Sequence, residues 1–143
     1  MRSPAFLDSS ALIPLFVQEP LTSRVQALYK QCRPVVWWGA SVEIAAALAR
    51  LLRVKQLDVA AWNTAKVSAD KLSTQWAVIQ PSENVRTKAK QIVENYDLRA
   101  ADCFQLAAAL DWCNDAPNGR MFLSADRKLR DAALLCGFDC PAL

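Results

Sequence analysis

Four acidic residues, Asp8, Glu43, Asp102 and Asp126, are the side chains of this 143-residue chain whose types and surroundings could do chemistry together. Asp8, Glu43 and Asp126 each follow within a few residues of a short apolar, β-favouring run: Pro4 to Leu7, Val35 to Trp38, and Met121 to Leu123. Neighbouring strands lie about 4.8 Å apart, so carboxylates leaving adjacent strands can reach one cation. Asp102 sits instead within a helical pattern, where its neighbours at helical spacing, Leu98, Gln105, Leu106 and Ala109, make a mostly apolar face. An ionised carboxylate there needs a cation, an arginine or hydrogen-bond donors, because burying it unpaired is strongly unfavourable. Four gathered carboxylates also repel one another unless a divalent ion is present. An all-oxygen donor set suits Mg2+ or Mn2+ rather than zinc. Such an ion lowers the pKa of a bound water and stabilises charge on a phosphodiester, so phosphodiester hydrolysis is the chemistry this set would support.

Each acid also has a plainer reading. Asp8 and Asp126 can cap the helices that begin just after them. Glu43, in a first helical turn, favours the helix dipole, and Asp102 can pair with Arg99. The case for chemistry is their joint placement at one edge of a sheet, beyond the carboxyl ends of parallel strands, where ligands bind in open α/β folds. The chain contains no histidine, which removes Ser-His-Asp triads, Cys-His pairs and imidazole acid/base catalysis.

The elements that would position these acids follow from pattern. The run ending at Leu7 gives way at Asp8-Ser9-Ser10 to a helix start, and a second helix is expected over Leu21 to Gln31. Val35-Val36-Trp37-Trp38 reads as a strand closed by Gly39. Ser41 is the expected N-cap of a helix from Val42 to Lys55. Asp58 opens a helix to about Thr74, and Trp76 to Ile79 is a short strand stopped by Pro81. Ser82 is the expected cap of a helix to about Tyr96, and Asp97 of one running through Trp112. Asn114 to Gly119 is a loop. Met121 to Leu123 is a strand, a helix runs from Asp126 to Cys136 and stops at Gly137, and a last short strand is expected around Phe138 to Cys140. Short apolar strands alternating with helices imply an α/β fold, a parallel sheet of four or five strands covered by helices on both faces.

At 143 residues, 53% apolar and 22% charged, the chain fits one domain, 1–143, with a real core and no disordered segment. A net charge of +3 is too mild to argue for nucleic acid by itself. The first residues lack the apolar run of a secretory signal and no stretch is long enough to span a membrane, so a cytoplasmic protein without membrane contact is expected. The five cysteines are scattered, with no C-x-x-C pair, and read as reduced, mostly buried apolar residues. Sharing of zinc by Cys136 and Cys140 has neither a histidine nor a second cysteine pair to complete it.

Four segments carry a resemblance: Phe6-Leu7-Asp8-Ser9-Ser10-Ala11-Leu12; Ala40-Ser41-Val42-Glu43-Ile44 with the alanines after it; Leu98-Arg99-Ala100-Ala101-Asp102 with Leu106-Ala107; and Phe122-Leu123-Ser124-Ala125-Asp126-Arg127-Lys128-Leu129. In order and spacing the chain resembles the PIN-domain nucleases, and within them the VapC-like toxins of bacterial toxin–antitoxin pairs. The third and fourth segments together are the specific ones. The resemblance implies a three-layer α/β/α fold with strand order 3-2-1-4-5, catalytic and metal-binding roles for Asp8, Glu43, Asp102 and Asp126 with Mg2+ or Mn2+, and endoribonuclease activity. It gives Ser10 and Ser124 supporting roles beside the metal. It further implies an RNA substrate, a cognate antitoxin protein and a homodimer. Arg50, Arg53, Lys55, Arg99, Arg127 and Lys128 are candidate phosphate contacts. The tandem Trp37-Trp38 departs from the family pattern; an exposed tryptophan can stack on an unpaired base, while core or dimer packing accounts for most of the five.

Competing α/β readings fit less well. A response-regulator receiver would want paired acids where Leu7-Asp8-Ser9 offers one, and a haloacid-dehalogenase-like phosphatase needs Asp-x-Asp where Ser10 stands. A PIN fold kept only for binding has no reason to retain four mutually repelling acids. A PIN nuclease of RNA maturation without an antitoxin is the other alternative, told apart by whether expression alone arrests growth.

Overall fold

Ala5, Phe6 and Leu7 have no exposed surface, because the strand that carries them, β1 (Ser3–Leu7), is paired on both sides in a parallel sheet. The computed structural model describes residues 2–143. After β1 come α1 (Ser9–Leu12), a 3-10 turn (Ile13–Leu15), α2 (Thr22–Gln31), β2 (Cys32–Trp37), α3 (Ala40–Arg53), α4 (Val59–Ser73), β3 (Ala77–Ile79), α5 (Glu83–Asn95), α6 (Ala100–Trp112), β4 (Met121–Leu123) and α7 (Arg127–Cys136). All pairings are parallel, in the order β3-β2-β1-β4. This is the expected α/β/α arrangement and the first four places of the expected strand order. The fifth place is held by a single bridge, Met121 to Asp139, with Phe122 N–H donating to Asp139 O at 2.9 Å. Pro141 has no N–H with which to lengthen that ladder.

Alternation along the strands sorts the core into two layers. Phe6, Val35, Trp37 and Phe122 face α5, α6 and α7. Leu7, Val36 and Leu123 face α1, α3 and α4. Phe6 stacks on Phe122 at 5.3 Å between ring centroids, joining the two strands that flank the site. The chain steps from β1 outward to β2 and β3, then returns to place β4 on the other side of β1. The switch point therefore falls between the carboxyl ends of β1 and β4.

Several expected caps are in place. Asp58 accepts from Ala61 N–H at 2.7 Å and Ser82 from Val85 N–H at 3.1 Å. Gly137 ends α7 at φ 110°, in the left-handed region. Two expected caps are not. Gly39, not Ser41, precedes α3, which has no side-chain cap; its carbonyl accepts from Val42 and Glu43 N–H, so the helix begins ahead of the serine. Asp97 does not cap α6: its carboxylate is drawn to Lys128 Nζ at 2.9 Å, and the helix starts only at Ala100, after an Arg99 that offers no side-chain cap. Four cysteines are buried, Cys136 is half-buried, and all five are free; burial pushes the Cys140 thiol up to about 11, the setting of an inert thiol. Among the described residues, no helix is long and apolar enough to cross a membrane.

Candidate metal centre

Asp8 leaves the end of β1 at the switch point, 2% exposed, and its backbone N–H is tied to Leu123 O of β4 at 3.1 Å. Three donors meet its carboxylate. Ser10 Oγ reaches Oδ1 at 2.8 Å and Oδ2 at 2.9 Å, Ser124 Oγ reaches Oδ2 at 2.9 Å, and Ala11 N–H reaches Oδ1 at 3.1 Å, which is also the N-cap bond of α1. Each serine is itself fixed by the backbone after β4: Ser10 Oγ accepts from Ala125 N–H at 2.9 Å and Ser124 Oγ from Asp126 N–H at 3.1 Å. The short α1 and the β4–α7 junction thus grip one carboxylate between them. Burial nevertheless pushes Asp8 up to about 7, against these three donors and with the Asp126 charge adding to the rise.

Asp126 caps α7 with Oδ1, which accepts from Leu129 N–H at 3.0 Å. The plain capping reading of Asp8 and Asp126 is correct, and it leaves the second oxygen of Asp126 without a hydrogen-bond partner among the described residues. Glu43, half-buried in the first turn of α3, is held by Gln105 Nε2, at 2.8 Å from Oε2 and 3.4 Å from Oε1. Burial raises its pKa, the Gln105 and Ser9 side chains oppose the rise, and the Asp102 charge adds to it. Asp102, in the first turn of α6, is raised by burial and then by Asp126, while Arg99 pulls it down. The four acids thus form one electrostatic chain, Asp8 to Asp126 to Asp102 to Glu43. None is in a salt bridge among the described residues, so the pairing of Asp102 with Arg99 does not form.

Asp102 and Asp126 line a cleft of about 520 Å³ together with Arg99 and Lys128. Of the six candidate phosphate contacts, those two stand at the acids, and Arg127 is exposed at the start of α7. Arg50, Arg53 and Lys55 do not: at about 1.5 Å per residue, Arg50 and Arg53 lie roughly 10 to 15 Å down the α3 axis from Glu43.

Gln105 is the residue that pattern reading passed over. It is 1% exposed in the apolar run from Cys103 to Ala109, three residues after Asp102, and a lone amide so placed was the available signal. Its Oε1 is buried with no hydrogen-bond partner among the described residues.

Among the described residues, no three acids or thiols are gathered at ligand spacing. The residues fit a hard divalent cation all the same. The donors are oxygens, none of the four is in a salt bridge among the described residues, and the Gln105 oxygen can accept from water bound to an ion.

A sequence profile of the PIN domain matches residues 5–135. Among solved structures the chain is similar to a toxin–antitoxin complex from Klebsiella pneumoniae, at 13% identity and TM-score 0.64, covering 87% of this chain and 88% of that one. It is similar to VapC20 of Mycobacterium tuberculosis, described as a sarcin–ricin loop cleaving toxin, at 16% identity and TM-score 0.66, covering 90% and 94%. It is also similar to FitAcB from Neisseria gonorrhoeae, at 17% identity and TM-score 0.63, covering 94% and 96%. No curated protein sequence matches the chain.

Proposed function

The chain belongs to the PIN-domain family, and from that membership we propose that it is an endoribonuclease dependent on Mg2+ or Mn2+, the toxin of a toxin–antitoxin pair. The observation that carries the reading is the unpaired acidic chain at the switch point, with buried Asp8 at one end and Glu43 at the other. Support for an antitoxin partner and for a loop-cleaving toxin activity comes from the neighbours, one a toxin–antitoxin complex and one described as a sarcin–ricin loop cleaving toxin. Action in the cytoplasm and as a homodimer belongs to the same proposal.

Asp8, Glu43, Asp102 and Asp126 would hold the ion. When bound, it supplies Lewis-acid stabilisation of the phosphodiester and a more acidic water. The protein's own part is positional. Ser10 and Ser124 aim the Asp8 carboxylate and keep bulk water from it. Gln105 orients Glu43 toward the other acids. Arg99 and Lys128, on the walls of the cleft, attract the phosphate backbone. With no histidine in the chain, acid/base work at the phosphodiester falls to carboxylates and to water made more acidic by the ion.

The test is cleavage of a mixed RNA pool by the purified chain with Mg2+, with EDTA, and by Asp8→Asn. Cleavage only by the unaltered chain with metal is the expected result. Cleavage indifferent to all three conditions overturns the reading.

A further inference from the structure

Trp38 is 56% exposed, an unusual setting for the largest side chain, and it stands at the same carboxyl edge of the sheet as the acids. We infer that the groove formed by Trp37, Trp38, Pro81, Arg86 and Phe104 takes an unpaired base of the RNA strand whose backbone crosses the acidic cluster. This inference rests on the ribonuclease reading above.

The groove has a volume of about 480 Å³, within the range of small-ligand sites. Its floor is the Trp37 indole, stacked on Phe104 with ring centroids 5.5 Å apart and planes 4° from parallel. Trp38 rises from that floor at 72° to Trp37, so the walls meet in an aromatic corner that presents one π-face and one ring edge. A flat base laid on Trp38 meets Trp37 edge to face, the preferred arrangement for aromatic pairs. At the rim, Arg86 is paired among the described residues only with Glu83, and both are largely exposed. Such a pair contributes little, so the guanidinium can turn to a phosphate at small cost. In the sheet, the end of β2 lies one strand from the end of β1, so a backbone held at Asp8 brings a neighbouring nucleotide over the tryptophans.

A second copy of the chain is the weaker occupant. Among the large exposed apolar side chains, Trp38 is the one that lines this groove; the others, on α3, α4, α5, α7, β3 and the turn after α3, do not. A stable dimer buries about 800 Å² on each partner, far more than one indole and a shallow groove offer.

The experiment measures binding of fluorescently labelled single-stranded RNA to the full chain by anisotropy, with Ca2+ in place of Mg2+ to slow hydrolysis. A second probe has the same backbone with abasic nucleotides. Trp38→Ala is expected to weaken binding of the first probe by roughly 5- to 100-fold, the range of one base stacked on an aromatic ring, and to leave the second unchanged. Trp38→Phe, which keeps a π-face, is expected to recover most of the loss. Equal binding by Trp38→Ala and the unaltered chain, an equal loss on both probes, or a Trp38→Ala change confined to sedimentation would overturn the inference. The two proposals fail separately. Base-dependent binding through Trp38 alongside cleavage indifferent to metal and to Asp8→Asn discards hydrolysis alone, whereas metal-dependent cleavage with Trp38→Ala unimpaired in both binding and KM discards the base site alone.

Discussion

Ser124 Oγ donates to Oδ2 of Asp8 at 2.9 Å, a contact between residues 116 positions apart. The same hydroxyl accepts from Asp126 N–H, so one small side chain couples the ends of β1 and β4 and sets two of the four acids relative to each other.

Ser124→Ala removes a donor that favours the ionised form of Asp8, while desolvation of that carboxyl persists. The Asp8 pKa is expected to rise further, and Mg2+ affinity at neutral pH to fall. Loss of a hydrogen bond to a charged group costs about 1.5 to 3 kcal/mol where the group is ionised. Calorimetric Mg2+ titrations at several pH values check this; an affinity-against-pH curve overlying that of the unaltered chain would contradict it.

Stability of the metal-free protein is expected to fall as pH rises. Asp8 goes from its ordinary 3.8 to about 7 on folding. Between those values the folded chain holds a proton that the unfolded chain has released, so stability is full below the lower value and is lost toward the upper, by at most about 1.4 kcal/mol per pH unit for one group. Glu43 and Asp102, raised as well, act in the same direction. Melting curves in EDTA from pH 5 to 8 should decline, Mg2+ should flatten or reverse the decline, and Asp8→Asn should reduce it. A flat profile in EDTA argues against a buried, proton-holding Asp8.

Gln105→Leu separates positioning from folding. The change removes the bond to Glu43 but also the unpartnered Oε1, so stability should move by only about 1 kcal/mol. Glu43 loses its orienting amide, and RNA cleavage should drop by a much larger factor, with rescue by raised metal concentration. Denaturant titration beside a metal-dependent rate curve decides it; equal, small effects on both would make Gln105 a packing residue.

Gly39→Ala tests the close approach at the end of β2. A Cβ there would stand 2.6 Å from Trp37 Nε1, and an indole stacked on Phe104 cannot simply swing aside. A destabilisation of about 1 to 3 kcal/mol is expected, with a changed near-ultraviolet circular dichroism from the displaced tryptophan. An unchanged spectrum and melting temperature would mean that the ring repacks freely.

Legibility in the sequence followed how local each determinant is. Asp58, Ser82, Asp126 and Gly137 act on residues within a turn of themselves, and each is where the pattern puts it. Ser41 and Asp97 have the right types but were displaced: α3 begins on the Gly39 carbonyl ahead of the serine, and the Asp97 carboxylate is drawn to a lysine 31 positions on. Strand order came from the resemblance to the PIN-domain nucleases; the pattern itself showed only that β1, apolar throughout its buried length, must be covered on both faces. The Glu43–Gln105 contact spans 62 positions, and nothing local to either residue announces it. For the same reason sequence alone could not sort the basic residues, two of which flank the acids while three sit at the far end of α3.

The innermost strand is also the first to be made. β1 acquires its β2 neighbour once residues 32 to 35 exist, but its pairing with β4 waits for residues 121 to 123. Two of the donors that grip Asp8 depend on that late arrival, Ser124 directly and Ser10 through Ala125 N–H. Until β4 has paired, the polypeptide therefore has a scaffold but not the finished grip on the Asp8 carboxylate.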